Sequence, residues 1–142
     1  MAGMRESRVS VLFVCVHNAG RSQMAEAIFN AAARERGLAH RAISAGTEPA
    51  AHVHANVAMA MRELEMDLSG AVPRIITNTM IASADRIVTM GCAIDVEACP
   101  AVFLRDVDDW GLSDPKDQGV AGARAVRDEI RRRVDTLLDA IT

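Results

Sequence analysis

The chain has 142 residues, a length that fits one domain with a sizeable core. Half of the residues are apolar and the net charge is −3, so the excess of basic residues typical of nucleic-acid binding is missing. The first apolar run, residues 9–14, is too short for a signal sequence or a membrane span. We therefore expect a cytoplasmic protein that binds neither nucleic acid nor membranes, with a flexible N-terminus over residues 1–8.

Apolar segments with strand and helix periodicity alternate from residue 9 onwards. The pattern predicts strands at 9–14, 40–45, 86–90 and 101–104. It predicts helices over 22–36, 53–64, 75–82 and 126–141. Strands that alternate with helices form βαβ units, so we predict an α/β fold: a four-stranded parallel sheet flanked by helices on both faces. Residues 9–142 are expected to form a single domain.

Residues 15–22, the Cys15 loop, follow the first strand and open the first helix. Five residues separate Cys15 from Arg21, a length that lets backbone N–H groups surround a tetrahedral oxyanion while the arginine closes the ring. The same positive surroundings lower the pKa of a thiol and produce a thiolate nucleophile. We expect Ser22 to donate a hydrogen bond to that thiolate. The residues predicted to bind the anion are Val16, His17, Asn18, Ala19, Gly20, Arg21 and Ser22.

Two further cysteines, Cys92 and Cys99, follow the third predicted strand and so lie at the same end of the sheet as Cys15. Three interpretations are open for them. They are buried small hydrophobic residues, or half of a metal site, or a redox pair that works with Cys15. The spacing is unusual for zinc and no nearby histidine completes a site, so we favour the redox pair.

Asp114 follows the last predicted strand and is presented by a turn that Pro115 stiffens. An Asp-Pro pair is ordinarily only a turn. After the last strand of a parallel sheet, however, its carboxyl group reaches the end that carries the Cys15 loop. We predict that Asp114 protonates a leaving oxygen there. Residues 9–142 are thus expected to be a single catalytic domain with Cys15, Arg21 and Asp114 as catalytic residues.

Four segments resemble the low-molecular-weight tyrosine phosphatase superfamily: the strand with the Cys15 loop, residues 22–26, residues 44–47 and Asp114-Pro115. Within it, the chain is similar to the thioredoxin-coupled arsenate reductases, which add two cysteines where Cys92 and Cys99 stand. Phosphatases of the superfamily typically carry tyrosines after the Asp-Pro pair, whereas this chain contains no tyrosine. The resemblance implies the low-molecular-weight phosphatase fold from Val9 to Ile141.

The resemblance also implies an activity, the reduction of arsenate to arsenite for arsenic detoxification. Cys15 would form a thiol-arsenate adduct, Cys92 would attack Cys15 as arsenite leaves, and Cys99 would then attack Cys92. Thioredoxin is the expected external reductant, since relatives that use mycothiol and mycoredoxin generally lack the two extra cysteines. No bound cofactor is implied, and we expect a monomer.

Two other functions stay open. One is a phosphatase that hydrolyses phosphotyrosine or small phosphomonoesters, and a weak side activity of this kind is expected of the reductase too. The other is a thiol-based oxyanion or arsenite sensor, which explains neither Asp114 nor the spacing of the Cys15 loop. Some relatives bind a monovalent cation near this loop. Asn18, Glu26 and Ser44 match the residues involved, but no further acidic ligand is evident.

Overall fold

The computed structural model describes residues 8–91 and 107–142. Its strands form one parallel sheet in the order β2-β1-β3-β4. The strands are β1 (Val9–Cys15), β2 (Ala42–Gly46), β3 (Ala84–Thr89) and β4 (Val107–Asp109). The helices are α1 (Arg21–Glu35), α2 (Ala55–Arg62), α3 (Asn78–Ser83) and α4 (Gly119–Ile141).

The structure confirms the predicted α/β fold with its parallel sheet and shifts several element boundaries, most at α4, which begins at Gly119, seven residues before the predicted start at 126. The strand predicted at 101–104 lies outside the described residues, and β4 begins at Val107. Arg8, the only described member of the predicted flexible N-terminus, pairs with Asp85. No helix within the described ranges is long and apolar enough to cross a bilayer.

Both faces of β1 are buried, as expected for a central strand of a parallel sheet. Val11, Phe13 and Cys15 pack on one face in a core shared with α1, α2 and α4. Leu12 and Val14 pack on the other face, against the residues of α3 and β3. Helices therefore cover both faces of the sheet, as the alternation of elements predicts.

The C-terminal end of β1 lies where the direction of winding changes. The chain runs from β1 to β2 on one side and then to β3 on the other. Parallel α/β sheets bind ligands at such a point, outside the carboxyl ends of the strands. Cys15 is the last residue of β1 and pairs with Gly46 of β2. A Cβ atom on Gly46 would lie 2.4 Å from the carbonyl oxygen of Val16, so glycine is needed for this close approach.

Candidate active site

The Cys15 side chain lies at the floor of a small pocket and is only 4% exposed. Ser22 Oγ lies 2.7 Å from Cys15 Sγ, and the backbone N–H of Asn18 donates to the same sulfur at 3.1 Å. The Ser22 contact is the one predicted from the sequence. Both groups can donate to a thiolate, and hydrogen bonds to the charged form of an acid favour that form.

Three backbone carbonyl groups of the Cys15 loop face the segment that follows β2. Those of Val16, His17 and Ala19 accept hydrogen bonds from N–H groups of residues 48–54, at 2.8, 2.9 and 2.9 Å. The segment after β2 therefore holds the loop from outside. Because these bonds satisfy the loop carbonyls, no carbonyl oxygen of the three is left to repel an anion in the pocket.

The same arrangement turns backbone N–H groups inward. In a trans peptide the N–H points opposite to the preceding carbonyl, so the N–H groups of His17, Asn18 and Gly20 point away from the segment after β2. The Asn18 N–H contact to sulfur shows this directly. Successive N–H groups that converge in this way form an anion-binding concavity. The loop geometry thus supports oxyanion binding.

Asn18 keeps the loop in shape through its fully buried side chain. Its φ of 51° lies in the left-handed region, which asparagine tolerates better than most residues. Its Nδ2 donates to Ser22 Oγ at 2.8 Å and to Ser44 Oγ at 3.0 Å. Its Oδ1 accepts from Gln23 Nε2 at 3.1 Å and from the backbone N–H of Arg74 at 2.9 Å.

Arg21 begins α1 and its side chain is 10% exposed. Nη1 donates to the carbonyls of Met90, at 3.1 Å, and Leu112, at 2.7 Å. These two carbonyls follow β3 and β4, so the ends of both strands fix the guanidinium. Nη2 lies 3.7 Å from Asp114 Oδ2. Arg21 therefore brings a permanent positive charge to the pocket in one defined orientation.

Asp114 lines the same pocket as Cys15 and Arg21, and its side chain is 47% exposed. The backbone N–H of Lys116 donates to Asp114 Oδ1 at 3.0 Å, which orients the carboxyl group within the turn. Asn56 Nδ2 donates to the carbonyl of Pro115 at 2.8 Å and ties the turn to α2. The structure therefore brings the three predicted residues of the pocket together.

Trp110 anchors the start of the segment that carries Asp114. Its backbone N–H donates to the carbonyl of Thr89 at 2.9 Å, and its ring lies 5.3 Å from that of Phe13. A little further on, the chain passes close to Gly91, which has a φ of +86°. A Cβ atom there would lie 2.6 Å from the backbone nitrogen of Leu112. Glycine at 91 thus lets the segment reach the Cys15 loop.

Two histidines, His17 and His54, complete the wall of the pocket. Burial lowers the pKa of His54, and nearby Asp114 opposes this effect only in part. Burial therefore favours the neutral form of this imidazole. The position of His54 before α2 gave no sign in the sequence that its backbone N–H would bond to the Cys15 loop and bring its ring to the anion site.

Cys92 and Cys99 lie outside the described residues. The chain enters their segment through Met90 and Gly91, and the carbonyl of Met90 contacts Arg21. The three residues predicted to lie near a cation do come together: Asn18 Nδ2 donates to Ser44 Oγ, and Ser44 Oγ donates to Glu26 Oε1 at 3.0 Å. Among the described residues, no group of three His, Cys, Asp or Glu side chains is placed to hold a metal ion.

Comparison with known proteins agrees with this geometry. A putative arsenate reductase of Halobacterium salinarum is 40% identical over 132 residues, which cover 89% of each chain. A glutaredoxin arsenate reductase of Synechocystis is 30% identical over 133 residues, 93% of this chain and 98% of the relative. The solved structure of an arsenate reductase in the phosphate binding state is 29% identical, with a TM-score of 0.80 over 94% of this chain and 99% of that one.

Residues 10–142 match the family described as low molecular weight phosphotyrosine protein phosphatase. The match extends from β1 to the last residue and includes the whole Cys15 loop and Asp114. With the fold and the pocket described above, it leads to one conclusion: the chain belongs to the low molecular weight phosphotyrosine protein phosphatase family.

Proposed function

We propose that this protein is an arsenate reductase, which converts arsenate to arsenite through the thiol of Cys15. The observation that carries the proposal is the position of Cys15 Sγ at the floor of an anion loop, beside Arg21 and Asp114. The relatives named arsenate reductase, at up to 40% identity, support arsenate as the substrate. Cys92 and Cys99 supply the two thiols that a reduction needs and a hydrolysis does not.

The first step is nucleophilic attack on arsenic. Arsenate binds to the inward N–H groups of the Cys15 loop and to the Arg21 guanidinium. The Cys15 thiolate forms a sulfur–arsenic bond, and one arsenic–oxygen bond breaks. Asp114 gives a proton to the departing oxygen, which leaves as water. Arsenic is still in its +5 state in the resulting adduct.

Reduction takes place in the second step. The Cys92 thiolate attacks the Cys15 sulfur, the sulfur–arsenic bond breaks, and its electron pair stays on arsenic, which leaves as arsenite. The two sulfurs are oxidised to a Cys15–Cys92 disulfide. The Cys99 thiolate then attacks Cys92 and releases the Cys15 thiolate. Two electrons from an external dithiol reduce the final Cys92–Cys99 disulfide and complete the cycle.

Thioredoxin is the reductant we propose for that last step. Two cysteines close in sequence form a disulfide of the kind that a dithiol protein reduces by exchange. The Synechocystis relative carries glutaredoxin in its name, so glutaredoxin with glutathione is the natural comparison, and mycothiol with mycoredoxin is a third. NADPH consumption with each reductant system in turn identifies the partner.

The test is arsenite production from arsenate with thioredoxin, thioredoxin reductase and NADPH. We expect sustained turnover by the wild-type protein. Cys15→Ser should reduce it to background, because a serine hydroxyl is not ionised at neutral pH and cannot form the adduct. Turnover by Cys15→Ser close to that of the wild type would exclude Cys15 as the nucleophile.

The family match favours a second candidate, a phosphatase. Phosphate and arsenate have the same tetrahedral shape, so the Cys15 loop accommodates either. Hydrolysis of a phosphocysteine requires only water, hence neither Cys92 nor Cys99. Efficient hydrolysis of phosphomonoesters by a protein that makes no arsenite would establish this function instead. We expect the reverse, with phosphatase activity as a weak side reaction.

A further inference from the structure

Arg74 forms an ion pair next to the Cys15 loop. Its Nη2 lies 2.9 Å from Glu26 Oε1, and the Glu26 side chain is 22% exposed. Glu26 lies in the second turn of α1, and Arg74 precedes α3 by a few residues. The pair therefore joins α1 to the segment that runs along the C-terminal end of β2.

A continuous set of hydrogen bonds leads from this ion pair to the nucleophile. Glu26 Oε1 accepts from Ser44 Oγ at 3.0 Å, and Ser44 Oγ accepts from Asn18 Nδ2 at 3.0 Å. The same Nδ2 donates to Ser22 Oγ at 2.8 Å, which lies 2.7 Å from Cys15 Sγ. Ser44, Asn18 and Ser22 are fully buried. Buried hydrogen bonds thus link the Glu26 carboxylate to the donor that faces the thiol.

Two side-chain oxygen atoms that could bind a cation here, Asn18 Oδ1 and Glu26 Oε1, are each used by two donors of the chain itself. Asn18 Oδ1 accepts from two N–H groups, and the Nδ2 that faces Ser44 is a donor and cannot bind a cation. Glu26 Oε1 accepts from both Ser44 and Arg74. These residues therefore do not fit a monovalent cation bound between Asn18, Ser44 and Glu26.

We propose that Arg74 is a positioning residue of the Cys15 loop, whose guanidinium takes the place beside Glu26 that a monovalent cation would otherwise fill. It neutralises Glu26 and holds that carboxylate as the acceptor for Ser44. The hydroxyl of Ser44 is then directed at Glu26, and its lone pairs face Asn18. Activity of this protein is consequently independent of potassium and sodium ions.

The backbone of Arg74 stays in place without its side chain. Its carbonyl accepts from the N–H of Gly46 at 2.9 Å, and its own N–H donates to Asn18. The N–H of Ile76 donates to the carbonyl of Gly46 at 2.9 Å, which completes the parallel bridge between Ile75 and Gly46. Because three main-chain interactions fix the segment, a substitution of Arg74 tests the guanidinium and leaves the contact to Asn18 intact.

The experiment measures the Cys15 thiol directly. Alkylation by iodoacetamide across pH is followed by mass spectrometry on the tryptic peptide 9–21, which contains Cys15 and no other cysteine. The variants are Arg74→Met, Arg74→Lys, and Arg74→Met combined with Glu26→Gln. Arg34→Met, an exposed arginine in the last turn of the same helix as Glu26, is the matched control. Each is measured in potassium chloride and in choline chloride at equal ionic strength.

For Arg74→Met in choline, we expect the alkylation midpoint to rise by about half a unit or more, since an unneutralised carboxylate then opposes the thiolate. Potassium should partly reverse the shift. Arg74→Lys should resemble the wild type, because it keeps the positive charge. The double variant, Arg74→Met with Glu26→Gln, should also have an alkylation midpoint close to that of the wild type, because it removes both charges. Arg34→Met and the wild type should give the same midpoint in both salts.

A wild-type midpoint that depends on potassium would overturn the proposal, as would an Arg74→Met midpoint equal to that of Arg34→Met. A double variant as perturbed as Arg74→Met would also contradict it, because charge compensation would then not be the cause. The proposal rests on the function of Cys15 as a nucleophile, but the thiol is read without arsenate. A protein that shows these shifts and reduces no arsenate would refute the proposed function alone.

Discussion

The sulfur of Cys15 has two close polar contacts. Ser22 Oγ lies 2.7 Å from it, and the Asn18 N–H donates a hydrogen bond to it at 3.1 Å. Both contacts favour the charged thiolate. Arg21 adds a fixed positive charge to the same pocket. Activated thiols in such surroundings have pKa values of about 3.5–7.5, against about 8.5 for an ordinary cysteine. We expect Cys15 to fall in the activated range.

Ser22→Ala should raise the pKa of Cys15, because it removes the hydroxyl that faces the thiolate. The change also removes the hydrogen bond from Asn18 Nδ2 to Ser22 Oγ, which is one of the bonds that hold the loop in shape. The pH profile of alkylation at peptide 9–21 measures the effect. Ser113→Ala, an exposed serine next to Asp114, is the control and should not alter the profile. An unchanged profile in Ser22→Ala would contradict this role for the hydroxyl.

Asp114→Asn should slow formation of the arsenate adduct by roughly 10²–10⁴-fold, the usual contribution of a general acid. Oxyanion binding should change little, since the loop N–H groups and Arg21 remain. Rapid-quench measurement of the first step, together with phosphate inhibition as a measure of binding, separates the two effects. Lost phosphate inhibition with a normal first step would assign Asp114 to the binding of the anion instead.

The sequence predicted the contacts of residues close along the chain better than those between distant segments. Cys15, Asn18 and Ser22 all lie in the Cys15 loop, so their spacing indicated a common site. Arg74 meets Asn18 from 56 residues away, and no pattern around it marks a partner. The approach of His54 to the Cys15 loop likewise depends on tertiary packing, which residue spacing does not encode.

α2, the helix that follows His54, is attached to α4 by ion pairs. Glu63, just after α2, pairs with Arg124 at 2.6 Å and Arg127 at 2.7 Å, both on α4. Arg127 is largely buried and also donates to the carbonyl of Ala60 at 2.8 Å. Hydrogen bonds from Arg124 and then Arg127 lower the pKa of Glu63 to about 2. The folded state thus stabilises the ionised form of Glu63 more than its protonated form.

Glu63→Gln should lower the melting temperature at pH 7, since it removes the charge that offsets two arginines. A depressed folded-state pKa gives stability that is present above the unfolded value, near 4.5, and is lost as pH falls towards 2. The difference between variant and wild type should therefore shrink over that window. Glu35→Gln, at the exposed end of α1, is the control. A difference that stays constant from pH 7 to pH 2 would show that the charge is not its source.

Elements with a clear apolar pattern were predicted well, and β4 was not. α4 buries Val126, Ile130, Val134 and Leu138 on one face, the helical spacing seen in the sequence. β4 is short, and Asp108 and Asp109 in it are exposed. An edge strand with polar side chains has no apolar alternation to detect. β4 pairs with β3 through its main chain, and Asp109 Oδ1 also accepts a hydrogen bond from Thr89 Oγ1 at 3.1 Å.

The topology of the whole sheet explains why residues from several segments meet in one pocket. The strand order puts the end of β1 between β2 and β3. Arg21 then contacts the carbonyls that follow β3 and β4, and Asp114 arrives on the second of these segments. The alternation of strands and helices was enough to predict this meeting point. The conformation of residues 92–106, which hold Cys92 and Cys99, stays outside the described ranges.

Reduction of arsenate through the three cysteines is tested most sharply by one turnover with arsenate, in the absence of reductant, followed by mapping of the disulfides. Trypsin releases Cys15 in peptide 9–21 and both other cysteines in peptide 87–105. The wild type should release arsenite and leave a disulfide within peptide 87–105. Cys99→Ser should also release arsenite, but with the two peptides joined through Cys15 and Cys92. Cys92→Ser should release none.

Phosphomonoester hydrolysis by the two serine variants is the control, because it needs only Cys15 and should persist. Disulfide transfer from Cys15 to Cys92 and then to Cys99, the relay, predicts that Cys99→Ser stops with the two peptides joined and makes no more arsenite without reductant. Sustained arsenite production by Cys92→Ser or Cys99→Ser with thioredoxin, at the wild-type rate, would contradict the relay. A wild-type protein that releases no arsenite in a single turnover would contradict arsenate reduction itself.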